Sequence, residues 1–310
     1  MNYSTTRRGF LKESGLALAG FGLSNNPITA IEPFPRSAPS RLRLSLAAYS
    51  FREYFTPNQQ RRSEKPKAKR MDMFQFIHYC AEHWCHGAEV TSYYFPENLT
   101  SDYLINLKRH AFLRGVEISG TAVGNDFTHR LGTQRDQQIA SVKTWIDNAA
   151  LLGAPHVRIF AGSSKDISKS EAKALCHSAI EECADYAGSK GIFLGLENHG
   201  GIVAEAEDLL AIVRAVKSRW LGVNLDTGNF HTDDPYGDIA KCAPYAVNVQ
   251  LKGEVQKRGA PQEPADLLRL INILREANYQ GYVALEYESS DDPWKAVPEL
   301  LKRLNDLFQQ

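Results

Sequence analysis

The stretch Leu194-Gly195-Leu196-Glu197-Asn198-His199 alternates apolar with small or polar residues and ends in a polar run. A second stretch, Val223-Asn224-Leu225-Asp226-Thr227-Gly228-Asn229, repeats the pattern after one helix-like segment. Because successive side chains of a strand point to opposite sides, the leucines face one side and the acidic residues the other. Both stretches therefore predict strands that carry a carboxylate on an inward side at their carboxyl end.

Outward from these two strands, β-like runs alternate with segments that have apolar residues at i, i+3, i+4 and i+7 spacing. The predicted strands are 44–49, 88–91, 116–122, 156–160, 192–197, 221–226, 246–252 and 282–288. The predicted helices are 73–85, 99–114, 134–152, 170–190, 205–217, 235–242, 264–277 and 294–308. This alternation predicts an α/β fold, a single-domain (β/α)8 TIM barrel over 44–310, with a doubly wound open sheet as the alternative.

The overall charge argues against some classes of partner. The chain has 310 residues, with 36 acidic and 36 basic side chains. No net field would draw it to nucleic acid or to an anionic membrane surface. We therefore expect a small neutral molecule as the partner.

The amino terminus reads Thr5-Thr6-Arg7-Arg8-Gly9-Phe10-Leu11-Lys12 and continues into a short, weakly apolar segment. It resembles a twin-arginine export signal, which predicts a signal peptide over 1–30, a linker over 31–43 and a periplasmic mature protein. A basic, frayed tail is the alternative. The apolar segment is too short and too rich in glycine to be a stable membrane anchor.

The five cysteines form no short-spaced framework, and we expect buried free thiols.

One connection is unusually basic. Residues 52–70 follow the first predicted strand, and their second half, 61–70, contains six basic residues. A solvated loop is the simplest interpretation. Loops after barrel strands lie on the catalytic face, so a lid or an anion-contacting role is the alternative.

Four successive predicted strands bring polar residues to the same end in the same phase: Glu197, Asp226, Gln250 and Glu286. Three carboxylates at one barrel mouth repel one another unless a cation lies among them. A divalent metal ion is the simplest compensation. The alternative is that each carboxylate caps a helix or pairs with Lys252, Arg158 or another basic side chain.

These residues resemble those of a known family, the xylose isomerase-like barrels, and within it the sugar phosphate isomerase/epimerase group. The similarity covers about 44–307 and is carried by Tyr49-Ser50-Phe51, Gly87-Ala88-Glu89-Val90, Leu196-Glu197-Asn198-His199, Leu225-Asp226-Thr227-Gly228-Asn229, Val249-Gln250-Leu251-Lys252 and Leu285-Glu286. The resemblance implies one metal ion bound by Glu197, Asp226, Gln250 and Glu286. Gln250 stands where many members have histidine, and Asn229 stands where ketose epimerases often have histidine.

The resemblance also implies the chemistry. An oxygen-only ligand set suits Mn²⁺ or Mg²⁺ better than Zn²⁺ or Co²⁺, which it does not exclude. Glu197 and Glu286 are the expected catalytic bases, which remove a proton next to the carbonyl of a sugar or keto-sugar and leave a metal-held enediolate. The residues expected to bind the substrate are Glu89, Arg158, His199, Asn229 and Lys252. For Glu89 and Arg158, an ion pair inside the barrel is the alternative.

Three functions remain open on these grounds. The first is a sugar isomerase or epimerase. The second is a lyase or hydratase that acts on 3-keto-glycosides by the same proton abstraction, followed by β-elimination. The third is a sugar-binding protein without catalysis, which would need no base. A DNA-repair endonuclease of the same superfamily is disfavoured, because the nine histidines are scattered and the chain has no basic groove.

Overall fold

The computed structural model describes residues 31–55, 69–164 and 166–310. The predicted signal peptide, 1–30, and residues 56–68 of the basic loop lie outside the described residues. The interpretations of these two segments stay predictions.

Eight parallel strands close into a barrel in the order β1-β10-β7-β6-β5-β4-β3-β2. The barrel strands are β1 (Arg41–Ala47), β2 (Gly87–Thr91), β3 (Glu117–Ala122), β4 (His156–Ile159), β5 (Phe193–Glu197), β6 (Leu221–Asp226), β7 (Ala246–Leu251) and β10 (Gln280–Leu285). Since β1 pairs with both β2 and β10, the sheet has no open edge. The predicted single-domain (β/α)8 barrel is confirmed, and the doubly wound alternative is excluded.

A helix follows each barrel strand and packs on the outside of the sheet. The helices are α1 (Met73–Glu82), α2 (Ser101–Phe112), α3 (Thr133–Leu152), α4 (Lys169–Ser189), α5 (Ala206–Ala215), α6 (Pro235–Cys242), α7 (Leu267–Glu276) and α8 (Pro293–Phe308). Most begin at a side-chain cap, and in α1 Asp72 and Gln75 form a reciprocal capping box. In these helices the polar residue before the apolar stripe therefore sets the helix start.

The structure differs from the sequence-based prediction at several element ends and by one added hairpin. The last barrel strand ends at Leu285, before Glu286 and Glu288, which the sequence pattern had included in the strand. A small antiparallel hairpin, β8 (Glu254–Gln256) with β9 (Gln262–Pro264), follows β7 and was not predicted. The exposed, polar residues of β9 have no apolar alternation, so the sequence gives no strand signal there.

The predicted linker packs against the amino-terminal end of the barrel. The Phe34 ring meets the Phe193 ring edge to face, with centroids 5.9 Å apart. The Phe34 amide donates to the Pro244 carbonyl, and the Arg36 guanidinium donates to the carbonyls of Pro244 and Ala246. Residues 31–40 therefore cover the end of the barrel opposite the predicted site.

The inward positions of the strands are polar at several levels. In the barrel interior, the Ser45 and Ser119 hydroxyls are 2.7 Å apart. Above them lie buried polar side chains from four other strands: Glu89, His156, Asn224 and Asn248. Asn248 hydrogen-bonds to both Glu89 and Asn224, and this linked set forms a fixed base beneath the mouth, whereas His156 Nε2 has no hydrogen-bond partner among the described residues.

All five cysteines are buried and free, as expected: Cys80, Cys85, Cys176, Cys183 and Cys242. Within the described ranges, no helix is both long enough and apolar enough to cross a membrane.

Candidate active site at the barrel mouth

The ends of neighbouring strands bring the predicted acidic residues to one mouth. Glu197 ends β5, Asp226 ends β6, and Glu286 immediately follows β10. All three side chains are buried, and each of these residues is 7 % exposed or less. The Asn198 side chain locks two strand ends together, because it donates to the Asp226 carbonyl at 2.8 Å and accepts from the Asp226 amide at 2.9 Å.

Glu197 is held by an arginine and an amide. Arg158 Nε lies 2.9 Å from Glu197 Oε2, and Asn229 Nδ2 donates to Glu197 Oε1 at 3.0 Å. Arg158 also donates to the Val123 carbonyl at 3.0 Å, and its guanidinium lies 3.9 Å from the centroid of the Phe160 ring. Burial lowers the pKa of Arg158, but Glu197, Tyr93 and Glu286 together raise it by more, so that pKa stays above its ordinary value. Glu197 therefore has a permanent cation beside it.

A lysine lies among the remaining carboxylates. Lys252 Nζ is 3.2 Å from Asp226 Oδ2 and 3.4 Å from Glu286 Oε2, and it also contacts the Glu288 carboxylate. Asp226 Oδ1 accepts from the Gly228 amide at 2.8 Å, whereas Asp226 Oδ2 is buried and accepts no hydrogen bond. The ion-pair alternative considered for Lys252 and Arg158 is thus present in the structure.

Gln250 belongs to a network below the mouth. Its Nε2 donates to Glu89 Oε1 at 2.6 Å, and its Oε1 accepts from Asn224 Nδ2 at 2.6 Å. Asn248 donates to Glu89 Oε2 at 2.6 Å and to Asn224 Oδ1 at 2.8 Å. Both ends of the Gln250 side chain are therefore engaged within the barrel, and its role as a metal ligand stays a prediction.

Glu89 does not pair with Arg158. The nearest ring nitrogen to Glu89 is His156 Nε2, 4.0 Å from Glu89 Oε2. Burial lowers the pKa of His156 to about 4, so the imidazole is neutral at neutral pH and gives Glu89 no charge. Arg158 contacts Glu197 instead, and the Glu89–Arg158 ion pair considered from the sequence is wrong.

Burial shifts four buried carboxyl groups in and below the mouth toward neutrality. It raises the pKa of Glu197 and of Glu286 to about 7, although Arg158 opposes the shift at Glu197 and Lys252 opposes it at Glu286. Burial also raises the pKa of Asp226 to about 6 and that of Glu89 to about 7. Carboxylates with pKa values near 7 are suited to accept and return protons at neutral pH.

The donor chemistry of the mouth fits a divalent cation. Four carboxylates (Glu197, Asp226, Glu286 and Glu288) face two cationic side chains, and Asp226 Oδ2, which accepts no hydrogen bond, is buried. As the described side chains stand, however, no three His, Cys, Asp or Glu residues converge closely enough to hold a metal ion. The carboxylates are arranged around Lys252 and Arg158.

The remaining predicted residues lie at the rim. The His199 ring lies beside the Phe160 ring with centroids 4.6 Å apart, and Asn229 contacts Glu197. The prediction omitted Glu288, Asn224, Asn248, His156 and Phe160. The alternation that selected Glu286 and Arg158 also places Glu288 and His156 on the inward side, so this signal was available. Phe160 follows β4 in the structure, but it ends the predicted strand 156–160 in the same inward phase as Arg158, so the alternation marked it as well.

The model of the family described as "Xylose isomerase-like TIM barrel" matches residues 77–306. The chain belongs to this family. A search of curated proteins gives no match. The family match includes seven of the eight barrel strands and all of the predicted acidic ligands and agrees with the closed parallel barrel described above.

Solved structures of the same architecture include sugar epimerases. A D-psicose 3-epimerase crystallised with D-fructose has a TM-score of 0.67 at 16 % identity, covering 84 % of this chain and 89 % of that chain. The 3-keto-D-glucoside 4-epimerase YcjR from E. coli has a TM-score of 0.63 at 14 % identity, covering 86 % and 100 %. The IOLI protein with a bound zinc atom has a TM-score of 0.67 at 17 % identity, covering 86 % and 96 %. At these identities the likeness establishes the fold.

Proposed function

We propose that the protein is a divalent-metal-dependent sugar isomerase or epimerase that removes a proton next to a carbonyl. The observation that carries this proposal is the pair Glu197 and Glu286, two buried carboxylates that lie at one mouth beside Arg158 and Lys252. Two carboxylates in one pocket can take and return a proton, whereas a simple binding site needs no base. The epimerase chemistry of similar structures supports the assignment.

The side chains of the mouth have different roles in the proposed reaction. One of Glu197 and Glu286 takes the proton from the carbon next to the carbonyl, and the other returns a proton to the opposite face of the enediolate. Arg158 and Asn229 hold Glu197 in place through its two oxygens. His199, beside Phe160 at the rim, contributes to the surface that receives the sugar ring.

The metal assignment rests on the donor set. A divalent ion held by Glu197, Asp226, Gln250 and Glu286 would act as a Lewis acid toward the carbonyl and its neighbouring hydroxyl. Oxygen donors favour Mn²⁺ or Mg²⁺, and Zn²⁺ or Co²⁺ are the alternatives. The substrate class is a small neutral sugar or keto-sugar, in keeping with the balanced net charge of the chain.

Solvent exchange tests the proton abstraction directly. Glu197→Gln and Glu286→Gln keep the side-chain shape but remove the base, so each should slow deuterium incorporation into a bound keto-sugar by at least about 10²-fold. Glu171→Gln, which removes one carboxylate of an exposed ion pair with Arg130, is the matched control and should exchange at the wild-type rate. Circular dichroism would establish that the variants fold. Undiminished exchange in both site variants would refute the assignment.

A lyase or hydratase acting on 3-keto-glycosides is the second candidate. It is favoured by one observation, the fold shared with a probable 3-DHS dehydratase, because a dehydration is an elimination. The two functions share the first step and differ in the second, because a lyase needs only one base and must hold a leaving group. Separate incubations with free ketoses and with a 3-keto-glucoside, monitored by NMR, distinguish them. Inversion of a free ketose alone supports the epimerase, and release of the aglycone with an unsaturated keto-sugar supports the lyase.

We also propose that the chain is exported by the twin-arginine route and acts in the periplasm. The paired Arg7 and Arg8, followed by a short apolar segment, support this. Replacing both arginines by lysine should leave the precursor in the cytoplasm, whereas the native signal should yield a mature protein that begins near Ile31. Cell fractionation with amino-terminal sequencing checks both outcomes. Unchanged export of the double variant would show that the segment is not such a signal.

A further inference from the structure

Lys252 occupies the space between two of the proposed metal ligands. Its Nζ lies 3.2 Å from Asp226 Oδ2 and 3.4 Å from Glu286 Oε2. Asp226 Oδ2 has no hydrogen-bond donor, so the lysine supplies its compensating charge. These are oxygens that a divalent ion in this mouth would need.

The chain is built to hold the lysine in this position. A Cβ at Gly228 would come within 2.7 Å of Lys252 Cδ, so a glycine in the turn after β6 leaves room for the lysine stem. The Lys252 amide donates to the Thr227 hydroxyl at 2.9 Å, which fixes the backbone from which the side chain extends. The Lys252 side chain is only 13 % exposed. Its contacts therefore arise from a packed turn rather than from a surface side chain that happens to lie nearby.

A third carboxylate offers the lysine another position. Glu288 also contacts Lys252, is not among the proposed ligands, and has a side chain that is 33 % exposed at the outer edge of the mouth. A lysine has a flexible stem and a compact charge, so it can keep one carboxylate while leaving two others. Arg158 has no such freedom, because it is held by Glu197, the Val123 carbonyl and the Phe160 ring.

We propose that Lys252 is a displaceable counter-ion that competes with the divalent ion for Asp226 and Glu286. This inference rests on the metal site of the proposed function. In the metal-free protein the ammonium neutralises both carboxylates. When the divalent ion binds, the ammonium leaves Asp226 Oδ2 and Glu286 Oε2 and stays with Glu288. Two cations that share the same oxygens repel each other, so the lysine lowers the affinity of the site for the metal ion. Without metal, the same lysine compensates the charge of the buried carboxylates.

The competition predicts an effect on affinity that does not depend on catalysis. Removing the ammonium in Lys252→Met should tighten Mn²⁺ binding by at least about 10-fold in calorimetric titrations of the metal-stripped protein, because one buried positive charge no longer opposes the ion. The same variant should unfold at a lower temperature than wild type without metal. Saturating Mn²⁺ should raise its unfolding temperature by more than it raises that of wild type.

Three further variants make the test specific. Lys252→Gln is also neutral but retains hydrogen-bond donors, so it should fold where Lys252→Met does not and should also bind Mn²⁺ more tightly. Lys252→Arg keeps the charge and should not bind more tightly than wild type. Lys190→Met removes an exposed lysine that pairs with Asp147 at 2.8 Å, and should leave the affinity unchanged.

The outcomes separate this inference from the proposed function. If wild type binds Mn²⁺ and the neutral Lys252 variants bind it equally or more weakly, the competition is refuted while the metal site stands. If neither wild type nor any variant binds Mn²⁺, Mg²⁺, Zn²⁺ or Co²⁺, both the competition and the metal-dependent part of the proposed function are refuted.

Discussion

The two cations at the mouth are held in different ways. Arg158 projects from within β4, pairs with Glu197, donates to the Val123 carbonyl and lies on the Phe160 ring. Lys252 follows β7 and bonds through a single ammonium to carboxylates on neighbouring strand ends. A planar guanidinium fixed at several points is a permanent part of the barrel, whereas an ammonium on a flexible stem can exchange partners. One half of the mouth is therefore rigid, and the other half can rearrange.

Removing the fixed cation should have the largest effect. Arg158→Met leaves the buried Glu197 without its partner and should lower the free energy of unfolding by about 3–5 kcal/mol. Urea unfolding at pH 7.5 measures the loss. Arg158→Lys, which keeps the charge but not the second contact, should lose less. A loss below about 1 kcal/mol in Arg158→Met would mean that the rigid half of the mouth does not depend on this pair.

Stability should fall as the pH rises in the metal-free protein. A carboxyl group whose folded pKa lies above its unfolded value stabilises the fold while protonated, and this contribution is complete below the unfolded pKa of about 4.3. For Glu89, whose pKa burial and the Glu286 charge raise to about 7, it is lost as the pH passes from 4.5 to 7. Thermal unfolding between pH 5 and pH 8 should show a decreasing midpoint.

The variant Glu89→Gln tests the source of this slope. An amide does not titrate, so the decrease in the unfolding midpoint should be smaller than in wild type over the same pH range. Glu117→Gln alters an exposed pair with Arg43 at the opposite end of the barrel and serves as the control. In this variant the contribution of Glu89 to the pH dependence of the unfolding midpoint should be the same as in wild type. A midpoint that changes with pH in Glu89→Gln as it does in wild type would contradict the raised pKa of Glu89.

The same glycine-to-alanine substitution can be made on both sides of the mouth. One glycine contacts His156, which lies on β4 with Arg158, and the other contacts Lys252. A Cβ at Gly120 would meet the buried His156 ring at 1.9 Å, and a ring inside a barrel cannot move aside. A Cβ at Gly228 would meet the Lys252 stem, at 2.7 Å from Cδ. We expect Gly120→Ala to cost about 1–3 kcal/mol of stability or more, and Gly228→Ala to cost less because the lysine can shift toward Glu288.

Urea unfolding of the two alanine variants, at one pH and without metal, gives the comparison. Gly228→Ala should also tighten Mn²⁺ binding in the same direction as Lys252→Met. If Gly228→Ala were the more destabilising of the two, Lys252 would be held as rigidly as His156.

The smallest effect is expected at the hydrogen bond that completes the Glu197 contacts. Asn229→Ala removes the 3.0 Å bond to Glu197 Oε1 and should cost about 0.5–1.5 kcal/mol of stability. Because that bond favours the ionised carboxylate, its loss should raise the pKa of Glu197 and move the pH profile of deuterium exchange to higher pH. Asn229→Asp would place a like charge beside Glu197 and should move the profile further in the same direction. A profile that moves to lower pH would be inconsistent with this role.

The sequence predicted the barrel because each strand and helix carries its own local signal. The phase of Glu197 in β5 and of Asp226 in β6 follows from alternation alone. The bounds of α6 were predicted to the residue, since Asp234 caps the helix and Pro235 begins it. The β8–β9 hairpin was missed because β9 is short and fully exposed.

The linker boundary was predicted too late in the chain. The strand β1 begins at Arg41, three residues before the predicted start at Leu44, and it pairs with β10 from its first residue. The alternation Arg41-Leu42-Arg43-Leu44 already has the two-residue period of a strand, so the sequence contained a signal for this earlier start.

The sequence by itself determined which residues face into the barrel and that carboxylates from neighbouring strands end at one mouth, because both follow from the two-residue period of a strand and the common direction of parallel strands. Only the tertiary structure decided which hydrogen-bond or ion-pair partner each of these side chains has. Gln250 contacts Glu89, 161 positions away, and Arg158 contacts Glu197 rather than Glu89. These choices depend on side-chain lengths and rotamers across a closed barrel, where a difference of a few ångströms selects one carboxylate over another.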